Sequence, residues 1–415
     1  MRGFGVCIVW MGIIGSCGSL AQAAPPAVAT TEAQSRNPPL EKVSDEKALE
    51  FGQELLKVIR QGPAQADRMD QLFDWSAMLE RSAIGLNLDA AGKATFFEGF
   101  RKSMTRGKAG LFVKLHESIQ NGDSYTITRV VQRTEGTRVR FRLVSTNSGM
   151  NFHEYLLREG PQGVQAVDLY ISMLGEDLSG LCRRMLVLAQ SNADRGFMDR
   201  LTGNEVAYFK HFKTIQKMIS ANQLKRYDDV RKAAQQLPAE VRNEKSCLIL
   251  ELTAATNSGN QRDLVDVIER FRAAHPQDPV IDIISIDYYA AKGNQKQALE
   301  HAKRVNEALE DDAHVVSLIA DLLWQLKRYD EARKTIDRSI QMEPELLNAY
   351  WTKIAITVSQ KDFAATRDTL QTIAKDFQIQ IDLTAYESEP LFADFLKSKE
   401  CEEFRQSQKG NEKTP

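Results

Sequence analysis

The sequence predicts two folds in series: an α+β domain of helices plus a four-stranded or larger curved antiparallel sheet, followed by an all-α solenoid of paired helices. Three observations carry that prediction. Apolar residues fall at helical spacing from Ser44 onward, the period switches to two after Asn121-Gly122-Asp123, and a 34-residue recurrence begins near residue 211. At 415 residues the chain is long for one domain, and 42% hydrophobic with 27% charged residues suffices for ordinary cores. Its 54 Lys plus Arg nearly balance 56 Asp plus Glu, so no global charge excess points to nucleic acid or an anionic membrane.

The α+β domain is placed at residues 45–174. Leu49, Phe51, Leu55, Leu56 and Ile59 recur at turn spacing behind Ser44-Asp45-Glu46-Lys47, a plausible helix start. Shorter helices follow around Met69 to Leu79 and Ala90 to Met104. Strands are predicted over Tyr125 to Gln132, around Val139, Phe141 and Leu143, over Phe152 to Arg158 and over Val164 to Ile171, with a turn at Glu159-Gly160-Pro161. Helices first and then an antiparallel meander resembles the nuclear-transport-factor-2-like fold. That resemblance implies a curved sheet with a pocket at its open end, used as a small-molecule site or a docking surface.

Two sets of residues in this domain merit chemical scrutiny. Arg138, Arg140 and Arg142 alternate with Val139, Phe141 and Leu143, which predicts a basic row on one strand face, either simply solvated or an anionic docking face. His153, Tyr155, Asp168 and Tyr170 are the best candidates for a catalytic pocket. Alternation argues against the last two, because Val167, Leu169 and Ile171 facing the core would turn Asp168 and Tyr170 to solvent. No H-E-x-x-H, G-x-S-x-G or phosphate-cradling glycine loop occurs among the 415 residues, so no catalytic, metal or cofactor site is assigned and the protein is expected not to be an enzyme. Glu310-Asp311-Asp312 is expected to open a helix and complement its dipole rather than bind metal.

Beyond a helical connector at 175–210, bearing the apolar stripe of Leu181, Met185 and Leu188, the repeats begin. Lys327-Arg328-Tyr329-Asp330 matches Lys225-Arg226-Tyr227-Asp228 at an offset of 327 minus 225, or 102, three times 34. Gly259-Asn260-Gln261 recurs as Gly293-Asn294-Gln295, 34 residues on. Ala313 to Leu346 resembles a tetratricopeptide repeat position by position, with small Ala320 where the two helices meet, Tyr329 in the turn, Ala332 early in the second helix and Pro344 after it. Stepping by 34 places Val230, Leu264, Ala298 and Thr366 with Ala332, and Pro276 with Pro344. The resemblance implies five hairpins over 211–380, starting near His211, Lys245, Pro279, Ala313 and Leu347. Ile286 and Ile354 stand where a small residue is expected, beside Ser285 and Ala355, which suggests that the first helix slides by one residue there. Leu391 to Leu396 reads as a helix capping the array within 381–405, and 406–415 as a disordered tail.

By the same resemblance, the fourth hairpin should present His314, Ser317, Asp321, Trp324 and Gln325 to a peptide-binding groove. The expected function is a non-enzymatic scaffold for a peptide or protein partner, with no nucleic acid. A small-ligand or lipid carrier with its pocket in the first domain is the alternative.

The N-terminus adds an expectation of export. Met1-Arg2 precedes the apolar run Phe4 to Ile14, and Ala21-Gln22-Ala23 supplies a small-x-small cleavage pattern, so residues 1–24 read as a signal peptide and the protein as periplasmic, hence bacterial, or extracellular. Ile14-Gly15-Ser16-Cys17 offers a lipobox as the alternative, and a membrane partner is expected only if Cys17 is lipidated. Pro25, Pro26, Pro38 and Pro39 mark residues 25–44 as a linker. Cleavage would leave Cys182, Cys247 and Cys401, too scattered for a disulfide framework or a paired metal site, so buried free thiols are expected.

Overall fold

A computed structural model describes residues 38–86, 90–107, 110–146, 149–193, 204–276 and 278–411. The expected signal peptide, Cys17 and most of the Pro-rich linker lie outside the described residues, as do 412–415. The chain forms two compact units, one running to Ile281 and the other from Asp282.

In the first unit, α1 (Asp45–Gln61) starts where Ser44 accepts a hydrogen bond from the Lys47 N–H, and it buries Phe51, Leu55, Val58 and Ile59 on one face. Helices α2 (Ala66–Leu72), α3 (Trp75–Ala83), α4 (Ala90–Arg106) and α5 (Leu111–Gln120) follow. A sheet of five strands succeeds them: β1 (Ser124–Arg133), β2 (Gly136–Val144), β3 (Met150–Gly160), β4 (Gly163–Ile171) and β5 (Glu176–Asp177), all antiparallel in the order of the chain. One sheet face, carrying Val139, Phe141, Tyr155 and Leu169, packs with Phe51, Leu55, Phe73, Phe112 and Leu115 in a single core. Each such large side chain contributes about 1.5–3 kcal/mol by leaving water.

A β-bulge alters the expected alternation. Leu156 pairs with Asp168 while Leu157 pairs with Ala166, leaving Val167 as the extra residue. Val167 therefore joins a separate cluster with Ala77 and Leu156, and only Leu169 and Ile171 keep to the main core. The second sheet face is buried as well. β2 is buried along almost its whole length, its arginines included. The region expected as a helical connector from 175 thus opens with β5, and the helix proper, α6, spans Leu178–Ala193. A further helix, α7, covers Asn204–Lys210.

Five helix pairs follow. They are α8 (Phe212–Gln223) with α9 (Tyr227–Ala234), then, after the short α10 (Ala239–Arg242), α11 (Lys245–Ser258) with α12 (Gln261–Ala274), α13 (Val280–Ala291) with α14 (Gln295–Ala308), α15 (Ala313–Gln325) with α16 (Tyr329–Met342), and α17 (Leu347–Ser359) with α18 (Phe363–Asp376). The boundary between the two units falls inside α13.

The turns inside these pairs share one geometry. Lys225, Gly259, Gly293, Lys327 and Lys361, each 34 residues from the next, have φ of 57°, 73°, 73°, 60° and 58°. In every case that residue's N–H bonds to the carbonyl three back and the next N–H to the carbonyl five before it, as in Lys327 to Trp324 and Arg328 to Leu323. This is the Schellman ending of a helix, in which a left-handed residue satisfies the last carbonyls. The fixed ladder also removes the expected one-residue slide: Ile286, Ala320 and Ile354 are all buried at equivalent positions, whereas Ala355 is half-buried. Val230, Leu264, Ala298, Ala332 and Thr366 are likewise buried in the second helices.

The chain end differs from expectation. Leu391 to Leu396 does not form a capping α-helix; three 3-10 turns at Leu383–Tyr386, Pro390–Phe392 and Phe395–Lys397 stand there instead. A last helix, α19 (Lys399–Asn411), runs through Gln406, where the loose tail was expected to begin. Phe395, Cys401 and Phe404 are buried against Ile354 and Leu370 of the fifth pair.

Candidate functional site

Three of the residues considered for a catalytic pocket, His153, Tyr155 and Asp168, are fully buried. Asn151, His153 and Tyr155 lie on the inner face of β3, where His153 Nδ1 is 3.0 Å from the Tyr125 hydroxyl and Tyr125 is 2.9 Å from Tyr155. The backbone N–H groups of Phe152 and Met173 both donate to Asn151 Oδ1, which fixes the amide so that its Nδ2 donates to His153 Nε2 at 3.0 Å. His153 is therefore the neutral tautomer protonated on Nδ1, donating to the Tyr125 oxygen. Burial pulls its pKa down to about 3, so it stays neutral at physiological pH. Phe73, Phe112, Phe141 and Tyr155 pack together in the core beside this cluster.

Asp168 and the arginine row correct the expectation of a solvated outer face. Asp168 is fully buried and accepts hydrogen bonds from Arg81 Nε (3.2 Å), the Ser179 N–H (3.0 Å) and the Ser179 hydroxyl. Its carboxylate thereby caps the first turn of α6. Burial and the nearby Asp177 push the Asp168 carboxyl up, while Arg81 and Ser179 pull it down. Arg138 donates to Asp177 at 3.0 Å and to Glu135 at 3.2 Å, and Arg140 donates to Glu154 at 2.6 Å. Arg142 is buried too. Arg138 and Arg140 thus form internal ion pairs and Arg142 is buried with them, so the row is not an open docking face, and Tyr170 is half-buried beside it.

A cleft of about 480 Å³ lies among α9, α11 and α12. Its charges are engaged with one another: Glu251 accepts from both Arg242 and Arg270, and Arg231 stands 3.5 Å from Asp263.

In the second unit, exposure along the first helices of the pairs falls into a stripe. On α15 His314, Leu318, Asp321 and Gln325 are accessible, at steps of four, three and four residues, which is one face of a helix, and Ile319 and Trp324 are half-buried beside them. Of the five expected groove residues, His314, Asp321 and Gln325 share this stripe. Ser317 does not, being buried. Trp324 is half-buried and its indole N–H donates to Ser359 Oγ of α17 at 2.7 Å, so it ties neighbouring pairs together. Gln325 donates to Asp321 at 2.7 Å and accepts from Gln295 at 2.9 Å.

The same stripe continues one step back on α13 as Ile284, Asp287 and Ala291, and one step forward on α17 as Thr352, Ala355 and Ser359. Asp287 was absent from the sequence-derived set, although subtracting 34 from 321 finds it. It is half-buried, and burial alone acts on its carboxyl, pushing it up to about 6. Burial also raises Asp321, against the hydrogen bond from Gln325. Asp312, by contrast, caps α15 by accepting from the His314 and Val315 N–H groups, as the acidic run predicted. Cys182, Cys247 and Cys401 are free and buried, and burial pushes the first two up to about 12.

Helix pairs joined by one repeated turn and offering one repeated accessible stripe define a helical-repeat protein. Residues 289–356 match the tetratricopeptide repeat family, which supports a protein-interaction scaffold. A crystal structure of MamA protein is similar over 41% of this chain and 97% of that chain, at 11% identity and a TM-score of 0.33, a likeness too slight to argue from. No curated protein matches the chain.

Proposed function

We propose that this protein is an exported, non-catalytic scaffold that holds an extended peptide segment of a protein partner along the first helices of its repeats. The α+β domain, which we read as nuclear-transport-factor-2-like from its element order, adds a second contact. The observation that carries this reading is the accessible stripe recurring on α13, α15 and α17, in register with the 34-residue turn ladder. Site-specific photocrosslinking in cells tests it. A benzophenone side chain at Leu318 should capture a discrete partner that the same probe at Lys334, exposed on α16, does not. Equal labelling from both positions would refute the stripe as the binding face.

A further inference from the structure

Resting on that scaffold reading, we propose that the stripe of α13 and α15 selects a peptide carrying lysine or arginine side chains, received by Asp287 and Asp321. Three features point to this chemistry. The first is the absence of counter-charge. Several acids of the second unit have cations at hand: Asp282 has His301 and Arg304, Asp337 has Arg333 and Lys353, Asp311 has Arg338, and Asp362 has Arg333. Asp287 and Asp321 have none among the described residues, and Asp321 has only the neutral Gln325. A half-buried carboxylate loses hydration without regaining a partner, so a cation arriving on a peptide finds a site already stripped of much of its water.

The second feature is repetition. Ile284 precedes Asp287 by three residues on α13, and Leu318 precedes Asp321 by three on α15, so each helix offers an apolar contact one turn from an acid. α17 has Thr352 and Ala355 at those places, and the pattern stops there. The third is composition. Lys and Arg number 54 in the chain, yet none stands at the stripe positions of α13, α15 or α17, and His314 is the one basic side chain among them.

Selection of a phage-displayed library of random 12-residue peptides on the full chain, and on its Asp287→Asn/Asp321→Asn double variant, tests this directly. The wild-type protein should enrich sequences with paired Lys or Arg, and a synthetic peptide of the enriched sequence should bind the double variant about tenfold or more weakly. Convergence on sequences lacking basic residues, or basic sequences bound equally by the double variant, would overturn this inference and leave the scaffold reading intact. No convergence on either protein would overturn the peptide reading itself. Circular dichroism of the double variant separates lost binding from lost fold, and retention of the wild-type spectrum is the expected result.

Discussion

The sheet domain and the second unit both shelter carboxylates, and they treat them in opposite ways. Asp168 is buried completely and is held by Arg81 and by two donors from Ser179, beside arginines that are themselves matched to Asp177 and Glu154. Asp287 is half-buried on a helix face with no cation beside it. The first arrangement cements a fold, since removing either partner strands a buried charge. The second spends stability on a group whose partner must come from elsewhere.

That contrast can be broken or sharpened by mutation. Asp168→Ala strands Arg81 and uncaps α6, and should destabilise the protein by about 3–5 kcal/mol, read as a calorimetric transition shifted far down in temperature. A loss below about 1 kcal/mol would mean that the sheet domain does not depend on its internal pairs.

Asp287→Asn should act in the other direction and only at higher pH. The folded carboxyl titrates at about 6, above its usual value of 3.8, so its favourable contribution is complete below the unfolded value and is lost as pH rises through 6. The variant should therefore match wild type near pH 4 and exceed it at pH 8 by on the order of 1–2 kcal/mol. Equal melting temperatures at pH 8 would show that Asp287 is compensated after all. Smallest of the three, Lys327→Gly relieves a side chain held at φ 60° and should stabilise by about 0.5–1 kcal/mol in chemical denaturation, whereas Gly293→Ala at the equivalent turn should destabilise by a similar amount.

Much of the fold could be read from residues alone, because period and turn chemistry are local signals. Five hairpins start within a residue or two of the expected places, and Ser44 caps α1. Lys-Arg-Tyr-Asp and Gly-Asn-Gln look like unrelated motifs, yet both end a helix with a left-handed residue at the same step of the repeat. What failed was whatever depends on a distant segment. Alternation assigns Arg138, Arg140 and Arg142 to one face but cannot say that Asp177 and Glu154 will meet them there. The bulge at Val167 has no Gly or Pro to announce it, and it moves one apolar residue out of the core. On α15, positions carried over from a family placed Ser317 in the groove, whereas Ser317 is buried and its neighbour Leu318 is accessible.

The end of the array has a consequence for its length. A stacked series of hairpins behaves as a crystal in one dimension, and each terminal face is a surface on which another copy could nucleate. α19 begins 36 residues after α18, from Phe363 to Lys399, close to the 34-residue step, with three 3-10 turns between them. Phe395, Cys401 and Phe404 bury Ile354 and Leu370 of the fifth pair, so the apolar side of that hairpin is not left open as such a surface.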